Sequence, residues 1–205
     1  MTATTSMTWT DHSVAAQSLV DQAQHCLLQV IGLIDDLGIE LGALSGLARA
    51  TARQAIIDDD GWRELAGHAS EQRQAAVDLR CLLAEIRTAV TQAGAHLLSF
   101  ETETIPDQTV GRRMFVLSRA VLGVDGAVRL AQPATDGLLS TLVDAESAFT
   151  ARDRQGLRQH ARKLGVRSSA LNGVVQLLPV ALNVPDTLVD RASLLIQTQL
   201  GLVDH

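Results

Sequence analysis

Six histidines and two cysteines are the side chains of widest chemical range in this 205-residue sequence. The histidines are His12, His25, His68, His96, His160 and His205. No two of them lie three or four residues apart, so no single helix turns a pair of imidazoles to one side, as a helical metal site requires. The Glu-x-x-His spacing of di-iron bundles is also absent. His25 and His96 fall at similar heights on two arms of an expected hairpin, but on faces that do not point at each other. Cys26 falls on a core-facing position and Cys81 on an outer one, where only Arg80 stands beside it to activate a thiolate. The two cysteines have no paired framework around them, which suits a reducing compartment. No glycine-rich phosphate loop follows a strand pattern, and no Ser-His or Cys-His arrangement is legible. No metal ion and no cofactor are expected.

The elements that carry these residues are helices. Hydrophobic residues make up 46% of the chain, yet aromatics are limited to Trp9, Trp62, Phe100, Phe115 and Phe149. A core of Leu, Val, Ile and Ala favours helix packed on helix. From Ser13 to about Ile57 the apolar residues follow a heptad. Ala16, Ala23, Val30, Leu37 and Leu44 take position a, and Leu19, Cys26, Leu33, Glu40 and Leu47 take d. Val20, Leu27, Ile34, Leu41 and Ala48 take e. Asp58-Asp59-Asp60-Gly61 marks a turn, with carboxylates at the positive N-terminus of the next helix. That helix spans about 62–100, with Trp62, Ala69, Ala76, Leu83, Val90 and Leu97 at a and Leu65, Gln72, Leu79, Ile86, Ala93 and Phe100 at d. The short turn forces the two arms antiparallel, each roughly 60 Å long at about 1.5 Å per residue.

Pro106 in Glu101–Asp107 ends this hairpin. Shorter helices are expected at about 108–122, 135–150 and 155–182, with a loop or short helix over 123–135 around Gly126 and Pro133, and with Pro179 kinking or ending the helix that holds it. A last helix is expected from Pro185 to Leu202, turning Leu188, Ala192, Leu195 and Leu200 inward. The sequence therefore reads as an all-α protein. Residues 1–12 form a flexible arm, 13–100 a long antiparallel hairpin, and 106–205 a C-terminal bundle portion that either stands alone or packs on the hairpin.

Within this frame His25 has a specific resemblance. The segment from His25 to Ile34, His-Cys-Leu-Leu-Gln-Val-Ile-Gly-Leu-Ile, resembles the histidine box of sensor-kinase dimerisation hairpins and their histidine phosphotransfer relatives. That resemblance implies an exposed phosphoaccepting His25 and a response regulator as partner. Cys26 stands where the family has an acidic residue and Val30 where it has proline. A second segment, Ala161-Arg-Lys-Leu164, resembles the Ala-His-x-Leu core of phosphotransfer helices, with Arg162 at the phosphoacceptor position. Gln29, one turn from His25, falls where a water-positioning amide would be accessible. Helical phosphatases of chemotaxis place an Asp four residues before such a Gln, and here that position is His25.

Gly38, Gly42 and Gly46 recur every fourth residue, although each costs ~1 kcal/mol relative to Ala inside a helix. Their faces lie away from the a/d seam, which fits either a surface where another helix backbone comes close, belonging to a subunit or a partner, or scattered glycines tolerated in a long, well-stabilised helix. The a, d and e stripe is wider than a two-stranded coiled-coil seam needs. Either the C-terminal helices cover it or a second hairpin does, as a homodimeric four-helix bundle.

The formal net charge is −6, and no basic stripe of the kind that displaces phosphate counterions is present, so no nucleic-acid partner is expected. The N-terminus lacks the charged and apolar regions of a signal peptide, and no run of about 20 apolar residues occurs, so no membrane span is expected. Among the 17 basic residues only Lys163 is lysine, a bias associated with GC-rich bacterial coding. The expectation is a non-catalytic helical-bundle interaction or adaptor protein of bacterial cytoplasmic signalling or assembly, with protein partners. The alternatives are a two-component phosphotransfer or phosphatase-like protein using His25 and Gln29, and a helical ligand-binding sensor domain.

Overall fold

The computed structural model describes residues 9–98 and 108–182. Four helices follow one another: α1 (Trp9–Ala52), α2 (Asp59–Leu98), α3 (Gln108–Thr150) and α4 (Arg154–Ala181). Helix α1 packs against α2 and α4, α3 packs against the same two, and α1 and α3 touch across the diagonal. Cross-links fix the directions. Arg73 reaches Glu146, Ser45 Oγ donates to Ala161 O, and Arg167 Nε donates to Thr141 Oγ1. Neighbouring helices thus run antiparallel in an up-down-up-down four-helix bundle. No strand occurs among the described residues.

The heptads of the sequence face the core. Every a and e position of α1 is buried, from Ala16 to Ala48, as are all six a positions of α2. Val30 is 0% and Leu83 2% exposed. The d positions of α1 lie at the rim: Leu19, Cys26, Leu33 and Leu47 are half-buried and Glu40 is exposed. On its other side α1 turns Gly38, Ser45 and Ala52 into the core, where α4 lies. The wide stripe is therefore covered by helices of the same chain, and its burial requires no second copy.

Both short turns are closed by local chemistry. Asp58 Oδ1 accepts from Gly61 N at 2.8 Å and caps α2, while Asp59 and Asp60 lie in the first turn as the helix dipole favours. Between α3 and α4, Arg152 takes a φ of 57°, and Asp153 caps α4 by accepting from Gln155 N. Arg152 then pairs with Asp59 at 2.9 Å, tying one turn to the other. The two turns share one end of the bundle, called the turn end below.

Two expectations need correction. Residues 9–12, assigned to a flexible arm, are the first turn of α1. The interruption expected over 123–135, as a loop or a short separate helix, does not occur: α3 is continuous through Gly123, Gly126 and Pro133. Packing outweighs the local breakers there, since Val124, Ala127, Val128, Leu130, Ala131 and Ala134 are all buried against neighbouring helices. Pro133 removes a single backbone bond from a helix held by its contacts on both sides. Pro179 lies inside α4, which runs on to Ala181, so of the two outcomes expected there the proline does not end the helix. Residues 1–8, the boundary segment Glu101–Asp107 and the helix expected over 185–202 lie outside the described residues.

Candidate functional site

Helix α4 ends at Ala181, while α1 and α3 run on past it. Beyond Leu182 the described bundle has three helices rather than four. The sequence of α1 records the change. The positions that face α4 along the lower half are Gly38, Ser45 and Ala52, all buried, whereas the equivalent upper positions are Gln17, Gln24 and Ile31. A groove of about 560 Å3 opens between α1 and α3 at this level, lined by Gln24, Leu27, Leu28 and Ile31 on one side and Arg119 and Ala120 on the other. Leu182 closes its floor, and Gly123 lets it do so, since a Cβ there would stand 2.6 Å from Leu182 O. Leu28 is 69% exposed, and Phe115, whose ring lies 5.9 Å under the Arg119 guanidinium, is 64% exposed. Leu122, one turn from Arg119, is exposed as well.

His25 and Gln29 stand beside this groove, each one residue past a lining residue and both on solvent. Neither makes a hydrogen bond or ion pair with another described residue. Their exposure follows from the heptad that places Ala23 and Val30 inward. His96 meets His12, not His25: the two Nδ1 atoms lie 3.1 Å apart, so one ring donates to the other. His12 was assigned to the arm, so this contact was hidden from the sequence. Among the described residues no group of three His, Cys, Asp or Glu could hold a metal ion. Cys26 is half-buried and Cys81 exposed, both free thiols.

The three glycines have separate surroundings. A Cβ at Gly38 would stand 2.6 Å from Asn172 Oδ1, and Ser168 Oγ donates to Gly38 O at 2.7 Å. A Cβ at Gly42 would meet Ser168 Oγ at 3.4 Å, and one at Gly46 would meet nothing within 4 Å. The helix that approaches Gly38 and Gly42 is thus α4 of the same chain, while Gly46 is open.

A polar cluster missed by sequence reasoning lies between α3 and α4. Arg167 Nε donates to Thr141 Oγ1, which donates on to Gly137 O at 2.9 Å. The Arg167 Nη1 is buried with no hydrogen-bond partner among the described residues, and burial lowers the guanidinium's pKa. His160, on a different face from Arg162 and Lys163, is buried with its Nδ1 unpartnered among the described residues. Burial lowers its pKa below the usual histidine value, and Lys163 adds to that, against the opposing pull of Asp144 and Asp153. Arg162, at the phosphoacceptor position of the second resemblance, is exposed.

No helix among the described residues is long and apolar enough to cross a membrane. No protein-family model matches the chain, and no curated protein matches it.

Proposed function

We propose that this chain is a non-catalytic interaction protein of signalling or assembly, and that it receives a partner's amphipathic helix in the groove between α1 and α3. The carrying observation is the groove lined by Leu27, Leu28 and Ile31 of α1 and by Arg119 of α3, with Phe115 exposed under the Arg119 guanidinium. A chain with three phenylalanines leaves Phe115 largely in water, and Leu28 and Leu122 are exposed as well. Aromatic and arginine side chains together are the usual anchors of protein interfaces. A trough between two helices accepts an amphipathic helix through its i, i+3, i+4 apolar face. Arg119 favours a partner with a carboxylate at the rim.

The test is site-specific photocrosslinking in cells from positions 28 and 115, with positions 80 and 87 on the outer face of α2 as controls. One defined protein adduct at 28 and 115, absent from the controls and abolished by Phe115→Glu, supports the reading. Adducts confined to this chain's own residues 183–205, or none at all, reject it.

The second reading is phosphotransfer or phosphatase-like action on a response regulator. It is favoured by His25 and Gln29 standing exposed one turn apart on a bundle helix. Incubation with a phosphodonor and purified response regulators decides it. Phosphate carried at His25 and lost in His25→Ala would establish it, and absence of label on any histidine would remove it.

A further inference from the structure

At the turn end, remote from the groove and independent of what it binds, α1 and α4 bring two arginine pairs face to face. Arg49 lies in the last turn of α1 and Arg53 one residue past its end, and Arg154 and Arg158 lie one turn apart at the start of α4. Antiparallel packing sets them around one pocket of about 390 Å3, whose remaining lining is Ala52 and Ala161. No carboxylate lines it, in a chain whose net charge is −6. Four arginines outside the pocket pair with acids: Arg63 with Asp60, Arg73 with Glu146, Arg129 with Asp125 and Arg152 with Asp59. Arg49, Arg53 and Arg158 have no hydrogen bond or ion pair with any described residue.

Helix electrostatics explains only half of the set. Cations at the C-terminus of α1 are favoured by its dipole, which accounts for Arg49 and Arg53. Arg154 and Arg158 sit at the N-terminus of α4, where the dipole disfavours them. Arg154 is compensated, since its guanidinium donates to the carbonyls of Gln54 and Ala55, which also fixes it as one wall of the pocket. Arg158 has no such compensation. Like charges one turn apart on a helix are mutually destabilising, and here two such pairs confront each other. The position of Arg49 is also built in. A Cβ on residue 165 would stand 2.7 Å from Arg49 Nη2, so Gly165 leaves the room in which this guanidinium lies against α4.

We propose that this pocket binds a compact oligophosphate, with pyrophosphate or triphosphate as its simplest form. Guanidinium groups match phosphate oxygens in pairs of parallel hydrogen bonds, and four of them balance the three to four charges of such an anion. The volume is in the range of small-molecule sites, about 300–1,000 Å3. No aromatic ring lines the pocket, so a nucleobase would find no stacking surface and recognition rests on the phosphate chain.

Isothermal titration of the full chain with sodium pyrophosphate and sodium triphosphate at physiological ionic strength tests this. Saturable one-to-one binding is expected. Affinity should fall roughly tenfold or more for each guanidinium removed in Arg49→Gln and Arg158→Gln. The doubly substituted chain should melt no lower than the parent without anion, because a repulsion is gone, and should gain nothing from added pyrophosphate. Arg80→Gln and Arg87→Gln on α2 should bind as the parent does. Absence of saturable binding, equal loss in the α2 controls, or equal affinity for citrate would overturn the assignment.

Discussion

At the turn end Ala52, Trp62, Phe149 and Leu157, one from each helix, are buried in a core to which all four helices contribute. At the opposite end Ala16, Val20, Ala93, Leu97 and Leu117 form a separate cluster, drawn among the described residues from α1, α2 and α3. Two of those five are alanines, and the partly buried residues around them are Leu19, Met114, Ala120 and Val121. The heptad of α1 is equally regular at both ends, so helical patterning does not explain the contrast. The described extent of α4 matches it: beside α4 the α1 positions Gly38, Ser45 and Ala52 are small and buried, and the equivalent positions past Leu182 are Gln17, Gln24 and Ile31. Regions with few buried apolar contacts open at lower free energy than the core, and among the described residues the smaller of the two clusters is the one away from the turns.

Truncating one large side chain at each end breaks or upholds this contrast most directly. Phe149 is completely buried, and Phe149→Ala should cost about 3–5 kcal/mol in urea denaturation, through lost transfer energy and the cavity left behind. Leu117→Ala should stay near the lower limit for such changes, about 2 kcal/mol, because a shallow three-helix cluster collapses onto the gap more easily. Equal costs would mean that the open end is as well supported as the turn end.

Glycine substitutions probe the boundary between the two regions with smaller effects. An added Cβ at Gly123 meets the backbone of Leu182, with its oxygen at 2.6 Å and its carbonyl carbon at 3.1 Å, and backbone cannot swing aside. Gly123→Ala should therefore destabilise by about 1–2 kcal/mol despite its better helix propensity, and should displace the end of α4. Gly46 has nothing within 4 Å, so Gly46→Ala should stabilise by up to ~1 kcal/mol. Gly38→Ala should fall between them, because its obstacle is the tip of the exposed Asn172 side chain. Thermal melts of the three variants would order them.

Residues that repeat a burial pattern were legible in the sequence, and residues whose role depends on a distant partner were not. The inward faces of α1 and α2, and with them the exposure of His25 and Gln29, follow from heptads that burial imposes on every turn. The continuity of α3 was hidden because Gly126 and Pro133 are local signals, whereas the contacts of Ala127, Val128 and Ala131 that override them come from other helices. Gly38 announces a close approach without saying that α4 makes it. The groove depends on where α4 ends, which no local feature of α1 or α3 states outright. Arg49 with Arg53 and Arg154 with Arg158 are each visible as pairs at helical spacing, but about 100 residues of topology are needed to put them around one pocket.

The smallest effect tests how closed the turn-end half is. His160 is 8% exposed, and burial, helped by Lys163, holds its pKa below 6.5 against Asp144 and Asp153. Above pH 6.5 the ring is neutral in both folded and unfolded chains and contributes no pH dependence. As the pH falls through 6.5, the unfolded chain takes up the proton first, so stability declines until the folded ring also titrates, and there the loss levels off. One proton limits the slope to ~1.4 kcal/mol per pH unit. Denaturation of the parent and of His160→Gln at about pH 7.5 and about pH 5.5 isolates this contribution, and the parent should lose more over that interval. The parent and His160→Gln losing stability in parallel would mean that water reaches the ring. In that event the packing of α4 on α3 would protect its polar groups no better than the three-helix end protects its own, and the contrast would rest on apolar burial alone.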